Sequence, residues 1–140
     1  RLGYAEADPT ADVEGFDAMA KVVILANVMM GAHVSLGTVV RQGITGLNRA
    51  DIAAATEAGE RWKLIGHIKR QADGAVSVSV QPMRLPIQHP LAGVSGVTNA
   101  ITFTTDLLGD VTLVGPGAGR YETGFAVLSD LLEIAHVGKP

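Results

Sequence analysis

Asp17 and Lys21 stand four residues apart in a segment whose apolar spacing reads as helix, so their side chains share one face. A lysine in that setting can give or take a proton. Desolvation lowers its pKa and a neighbouring carboxylate raises it again. The plainer reading of the same spacing is an exposed ion pair that contributes about a few tenths of a kcal/mol. Ahead of the pair lie Glu6, Asp8, Asp12 and Glu14, so that with Asp17 five carboxylates precede the single cation of the segment Tyr4–Lys21. Carboxylates are unfavourable to bury unless they are paired or bound to something. Such a set either caps a helix and faces water, or forms a pocket for a cation, most simply an ammonium group. The spacing does not match a calcium-binding EF-hand loop, and no metal site is expected.

Gly115-Pro-Gly-Ala-Gly119 follows a strand-like stretch and precedes a helical one. A complete dinucleotide fingerprint would place its third glycine at Arg120, and only 20 residues remain after that position. A complete nucleotide-binding fold is therefore not expected here, although a tight turn at a helix start can still touch a phosphate. His33, His67, His89 and His136 are scattered, with no pair at ligand spacing on one element. Ser35, Ser95 and Ser129 lack the strand-to-helix glycine context of a nucleophilic serine.

These residues need elements to hold them. A long helix is expected from about Asp12, its N-cap, to Val34, with Phe16, Met19, Ala20, Val23, Ile24 and Met30 at helical spacings. From Val22 onward it is apolar nearly all round, which predicts a buried central element with Lys21 close to buried surface. Gly15 within it is expected to cost about 1 kcal/mol relative to alanine. Residues 37–46 read as a connection with room for a short helical turn. Asn48 with Asp51 three residues on reads as a capping box for a short helix over 49–58. Strands are expected at 62–71 and 75–85, joined by a hairpin turn at Ala72-Asp73-Gly74, with Pro82 marking an edge or a strand end. Two more are expected at 97–106 and 111–114, and a last helix at 122–136. The order predicts an α+β fold, with helices packed on one face of a mainly antiparallel four-stranded sheet, larger if the sheet is shared in a dimer.

Composition narrows the class. The 140 residues suit one domain over 1–140. Hydrophobic residues make up 47% and charged residues 18%, which indicates a globular chain, and aromatics at 4% leave the core to aliphatic side chains. A net charge of −3 without a Lys/Arg cluster argues against a nucleic-acid partner. The absence of cysteine excludes a disulfide frame and suits a cytoplasmic location. The apolar run Val22–Gly31 is too short to span a bilayer, and no signal peptide is visible. The first residue is Arg1 and not Met, which is expected of a processed chain or of a piece of a longer protein.

Taken together, several segments resemble homoserine dehydrogenase. They are Gly3–Lys21 (GYAEADPTADVEGFDAMAK), Gly43-Ile44 with Asp51-Ile52, Trp62–Ile65, His89-Pro-Leu-Ala92 with Asn99-Ala100, and Gly115–Gly119. The acidic segment is the specific part, and the order holds from end to end. The resemblance implies the substrate and dimerisation part of an NAD- or NADP-dependent enzyme that interconverts L-homoserine and L-aspartate 4-semialdehyde. It implies that Lys21 exchanges the proton of the substrate hydroxyl and that Asp17 is the acid beside it. Glu6 and Asp12 would bind substrate, Tyr4 would lie at the pocket edge, and Gly119 with Gly117 would approach the cofactor. Residues 120–140 would form a helix that packs on a nucleotide-binding domain. That domain, a second lysine and a cation-binding loop would precede Arg1, so the chain is expected to be inactive alone. Arg120-Tyr121-Glu122 departs from the small residues usual in the family. A homodimer is expected, with no membrane partner. The rival readings are a non-catalytic amino-acid-binding or dimerisation module of the same fold and a related oxidoreductase with another substrate.

Overall fold

The computed structural model describes residues 8–137. They form two compact units, one ending at Ala92 and the other starting at Gly93.

The first unit begins with a short helix α1 (Thr10–Val13) and continues into α2 (Phe16–Met30). The single long helix expected from Asp12 is thus broken. Gly15 stands between the two with φ of 78°, a left-handed conformation that glycine adopts without a Cβ penalty. Asp12 is not the cap. Pro9 holds the N-cap position without a side-chain cap bond, and Asp8 just before it engages the first helical residue, its Oδ1 accepting from the Thr10 hydroxyl at 2.5 Å and the Thr10 amide at 3.0 Å. Those two bonds, the hydroxyl's first, hold the Asp8 carboxyl below the usual carboxylate range. Gly31, also left-handed, ends α2, and the Arg70 Nη2 donates to the Met30 carbonyl there at 2.8 Å. The helix therefore stops short of Val34. Asn27 instead holds Val34 from within α2, its side-chain amide donating to the Val34 carbonyl at 2.9 Å and accepting from the Val34 amide at 2.8 Å.

A two-residue strand β1 (Val40–Arg41) follows, inside the stretch 37–46 expected to be a connection with a short helical turn at most. Next comes α3 (Arg49–Glu57), with the expected capping box of Asn48 and Asp51. The strands β2 (Glu60–Arg70) and β3 (Val76–Pro86) pair antiparallel over eleven residues each, with Leu64 opposite Pro82 and Gly66 opposite Val80. β1 pairs parallel with β3 at Ser79 and Val80, giving the order β1-β3-β2. Pro82 thus sits in the central strand and not at an edge. The Val80 carbonyl accepts from Gln42 on the β1 side, and alternation points the Pro82 nitrogen the same way, past the end of β1, so no ladder bond is lost there.

Alternation along Val76-Ser-Val-Ser-Val80 puts the valines on one face of β3. Val78, Val80, Val22 and Ala26 form the core, with Ala18, Met19, Leu64 and Ile68 packed around it. α2 lies on that face. Trp62 shares the face with Leu64, and its Nε1 donates to the Asp51 carbonyl of α3 at 3.1 Å.

The second unit holds a hairpin of β4 (Thr98–Thr105) and β5 (Gly109–Pro116), then α4 (Arg120–Val137). Ile101 faces Leu113 and Phe103 faces Val111 across the hairpin. The alternate positions are polar, with the Thr102 and Thr112 hydroxyls 2.9 Å apart and the Thr104 hydroxyl donating to Asp110 at 2.7 Å. The α+β class and the mainly antiparallel pairing are as expected. The four expected strands, however, do not share one sheet: they divide into a three-stranded sheet and a separate two-stranded one. Periodicity identifies a strand and a turn identifies its hairpin partner, but neither pairs one hairpin with another.

Candidate active site

Asp17 and Lys21 occupy the first and second turns of α2, and Lys21 Nζ lies 2.7 Å from Asp17 Oδ2. An acid in the first turn suits the positive end of the helix dipole. Both side chains are about half exposed, at 49% and 53%. Lys21 is therefore not at buried surface, although Val22 next to it is 6% exposed. Each residue turns a helix by about 100°. Gly15, Met19, Val22 and Ala26 face the sheet, whereas Asp17 and Lys21 continue into the outward stripe of Ile24 and Val28, 60% and 78% exposed. The expectation of a wholly buried helix fails for the same reason, since one face alone meets the sheet.

Asp12 lies in α1 with an exposed side chain, and it has no side-chain partner among the described residues. Glu6 and Tyr4 lie outside the described residues. The junction between α1 and α2 is held from β1. Arg41 Nη1 donates to the Glu14 carbonyl oxygen. The same nitrogen lies 3.7 Å from Glu14 Oε2, and the guanidinium carbon sits 3.8 Å from the centre of the Phe16 ring. The Ile44 amide donates to the Val13 carbonyl at 2.8 Å. Gly43 runs so close beneath this junction that a Cβ on it would come within 2.6 Å of the Val13 carbonyl oxygen and 2.7 Å of Glu14 Cα. Sequence reasoning missed Arg41. The one available signal was its place two residues before Gly43-Ile44.

A cleft of about 640 Å³ opens in this unit between Val13, Ile44 and Leu47, the α3 residues Ile52 and Ala55, and β2 from Glu60 to Leu64. Neither Asp17 nor Lys21 lines it. On its rim Glu60 pairs with Arg84 at 2.6 Å. Among the described residues, no group of three or more His, Asp or Glu side chains is arranged to hold a metal, and no helix is long and apolar enough to cross a membrane.

In the second unit, Gly117 and Gly119 lie between β5 and α4. The Gly117 amide donates to the Val97 carbonyl at 2.7 Å, so it is engaged. The Glu122 carboxylate occupies the space that a Cβ on Gly119 would need. A nucleotide phosphate would meet that negative charge. The turn thus presents a carboxylate and not a phosphate cradle.

Comparison with known proteins gives a consistent result. The family described as homoserine dehydrogenase matches residues 1–132. The NAD(+)-dependent homoserine dehydrogenase of Pseudomonas canavaninivorans is 56% identical over 133 residues, covering 95% of this chain and 38% of that protein. The homoserine dehydrogenase of Methanocaldococcus jannaschii is 46% identical over the same length, with the same coverage. A crystal structure of S. aureus homoserine dehydrogenase at pH 7.0 superimposes with a TM-score of 0.89 at 44% identity, covering all of this chain and 36% of that one. A hyperthermophilic archaeal homoserine dehydrogenase in complex with NADPH superimposes with a TM-score of 0.74 at 32% identity, covering 99% of this chain and 38% of that one. The chain spans a little over a third of the length of these proteins.

Proposed function

The chain belongs to the homoserine dehydrogenase family, and on that footing we propose that it forms the substrate-binding and proton-transfer part of an NAD(P)-dependent enzyme interconverting L-homoserine and L-aspartate 4-semialdehyde, in the biosynthesis of threonine, methionine and isoleucine. The observation that carries the proposal is the Asp17–Lys21 pair at 2.7 Å, inside the acidic segment on which the likeness is most specific.

Oxidation of the alcohol takes a hydride from carbon and a proton from oxygen. When bound, NAD or NADP supplies the hydride acceptor. Lys21 receives the hydroxyl proton as a neutral amine. In the reducing direction, as an ammonium, it donates that proton to the developing alkoxide. Asp17 holds the ammonium form and its direction. Asp12 is assigned to the substrate ammonium group because its carboxylate is otherwise unengaged among the described residues. Glu6 and Tyr4 are assigned to the same pocket on sequence grounds. Gly117 and Gly119 are this chain's contact with the cofactor. Most of the nucleotide is held outside these 140 residues, by the counterpart of the remaining two thirds of the relatives, and α4 packs on that part.

A homodimer belongs to the same proposal. β2 forms an edge of its sheet, and α2 turns Ile24 and Val28 outward, both of which suit a second copy. The reading also carries a cytoplasmic location. Lys21→Ala in the full-length enzyme tests the function. The expected result is a fall in kcat of roughly 10²- to 10⁴-fold, with the KM for homoserine little changed. A kcat within about twofold of the parent would remove Lys21 from the mechanism.

A further inference from the structure

We propose that Arg41 is a positioning residue for the Asp17–Lys21 pair. The inference rests on the reading of Lys21 as the proton-transfer group.

The start of α2 is a junction between two helices, held from β1 and the residues after it. Gly15, left-handed and without a side chain, separates two helices, and Asp17 is the second residue after it. Backbone bonds within α2 fix Asp17 relative to Lys21, but they do not fix the direction in which the first turn leaves Gly15. Gly43 and Ile44 hold the Val13–Glu14 side of the junction, and Arg41 alone among these contacts also reaches Phe16, the first residue of α2. Its guanidinium touches both residues flanking Gly15: the Glu14 carbonyl by a hydrogen bond, the Glu14 carboxylate at 3.7 Å and the Phe16 ring by stacking at 3.8 Å. The side chain is only a quarter exposed, so these contacts are partly sheltered from competing water. Its base is anchored as well, because Arg41 pairs with Val80 at the centre of the core. A planar fork that donates and stacks at once is a property of arginine, and an ammonium cannot reproduce it. Arg41 thus ties the first turn of α2 to the sheet. Displacing a reacting group by about 1 Å can lower the rate on the order of 10²-fold.

The test uses the full-length enzyme with Arg41→Met, Arg41→Lys and Lys21→Ala measured side by side. Arg41→Met is expected to lower kcat by about 10- to 100-fold while the KM for homoserine moves by less than about threefold. The solvent deuterium isotope effect on kcat should rise, because proton transfer by a misplaced Lys21 becomes rate-limiting. Arg41→Lys keeps the charge but loses fork and stack, and should lie between Met and parent. Where Arg41→Met fails to fold, Arg41→Lys carries the test, with a fall of about three- to tenfold and the same rise in isotope effect. An unchanged kcat overturns the inference. So does a loss proportional to the folded fraction with the isotope effect unaltered, since Arg41 would then be structural only. An active Lys21→Ala enzyme overturns the underlying reading and the inference with it. An inactive Lys21→Ala enzyme beside an unaffected Arg41→Met enzyme overturns the inference alone.

Discussion

Residues 8–92 and residues 93–137 are both rich in helix and strand, yet only the first unit closes a core. There Val80 and Ala26 are fully buried, and Val22, Val78 and Leu85 nearly so. In the second, no described residue is buried, and Phe125, Leu128 and Leu132 of α4 are each more than half exposed. Both units carry amphipathic patterns of similar quality. A pattern is enough to form an element, but stability needs a second apolar face against it. The first unit contains that face in the valines of β3. A two-stranded hairpin offers too little surface to serve the same purpose.

The difference can be tested by substitution. Val80→Ala should produce the largest loss of stability, about 2 kcal/mol, from two lost methyl groups and the cavity left between α2 and the sheet. It would be read as a lower denaturant midpoint at constant slope. Gly15→Ala should follow at about 1–2 kcal/mol, because alanine resists the left-handed conformation. Its Cβ would also come within 3.2 Å of the Val80 side chain. An unchanged melting temperature for Gly15→Ala would show that the junction can unbend. Leu132→Ser, on a residue 52% exposed, should change the stability of this chain by less than about 0.5 kcal/mol. In the full-length enzyme proposed above the same change should cost clearly more, because the proposal gives α4 a partner there. Equal effects in the two contexts would leave α4 unpartnered in both and would remove that assignment.

The contrast also marks where sequence reasoning holds. Elements specified by neighbours in the chain were legible: the Asn48–Asp51 box, the turn at Asp73-Gly74, the valine alternation of β3 and the Asp17–Lys21 spacing. Features set by distant residues were not. β1 is two residues long and carries no periodicity of its own, so it exists only through β3. From the sequence Gly15 reads only as a weak point in one long helix, since its left-handed place is set against Val80 and Leu64, which are distant in the chain. The exposure of Lys21 follows from which face of α2 meets the sheet, and a helix apolar nearly all round does not declare that face. Arg41 acts on residues 25 to 27 positions earlier in the chain, and no local pattern points to it.

The short strand β1 has a consequence for the order of events in folding. β2 and β3 meet through a turn of a few residues, a closure expected on the microsecond scale. β1 must find β3 across the long separation from Val40 to Ser79, and the closure entropy of such a loop makes a pairing of two residues slow to nucleate and poor at sustaining itself. Arg41 can take hold of Glu14 and Phe16 only once that pairing stands. The start of α2 is therefore set after the hairpin has formed, together with the docking of α2 on β3, which spans a still longer separation from Val22 to Val80. On this view Arg41→Met speeds unfolding and leaves the refolding rate nearly unchanged, whereas Val80→Ala slows refolding as well. The proton-transfer pair would then be among the last parts of the chain to take its final geometry, and among the first to lose it.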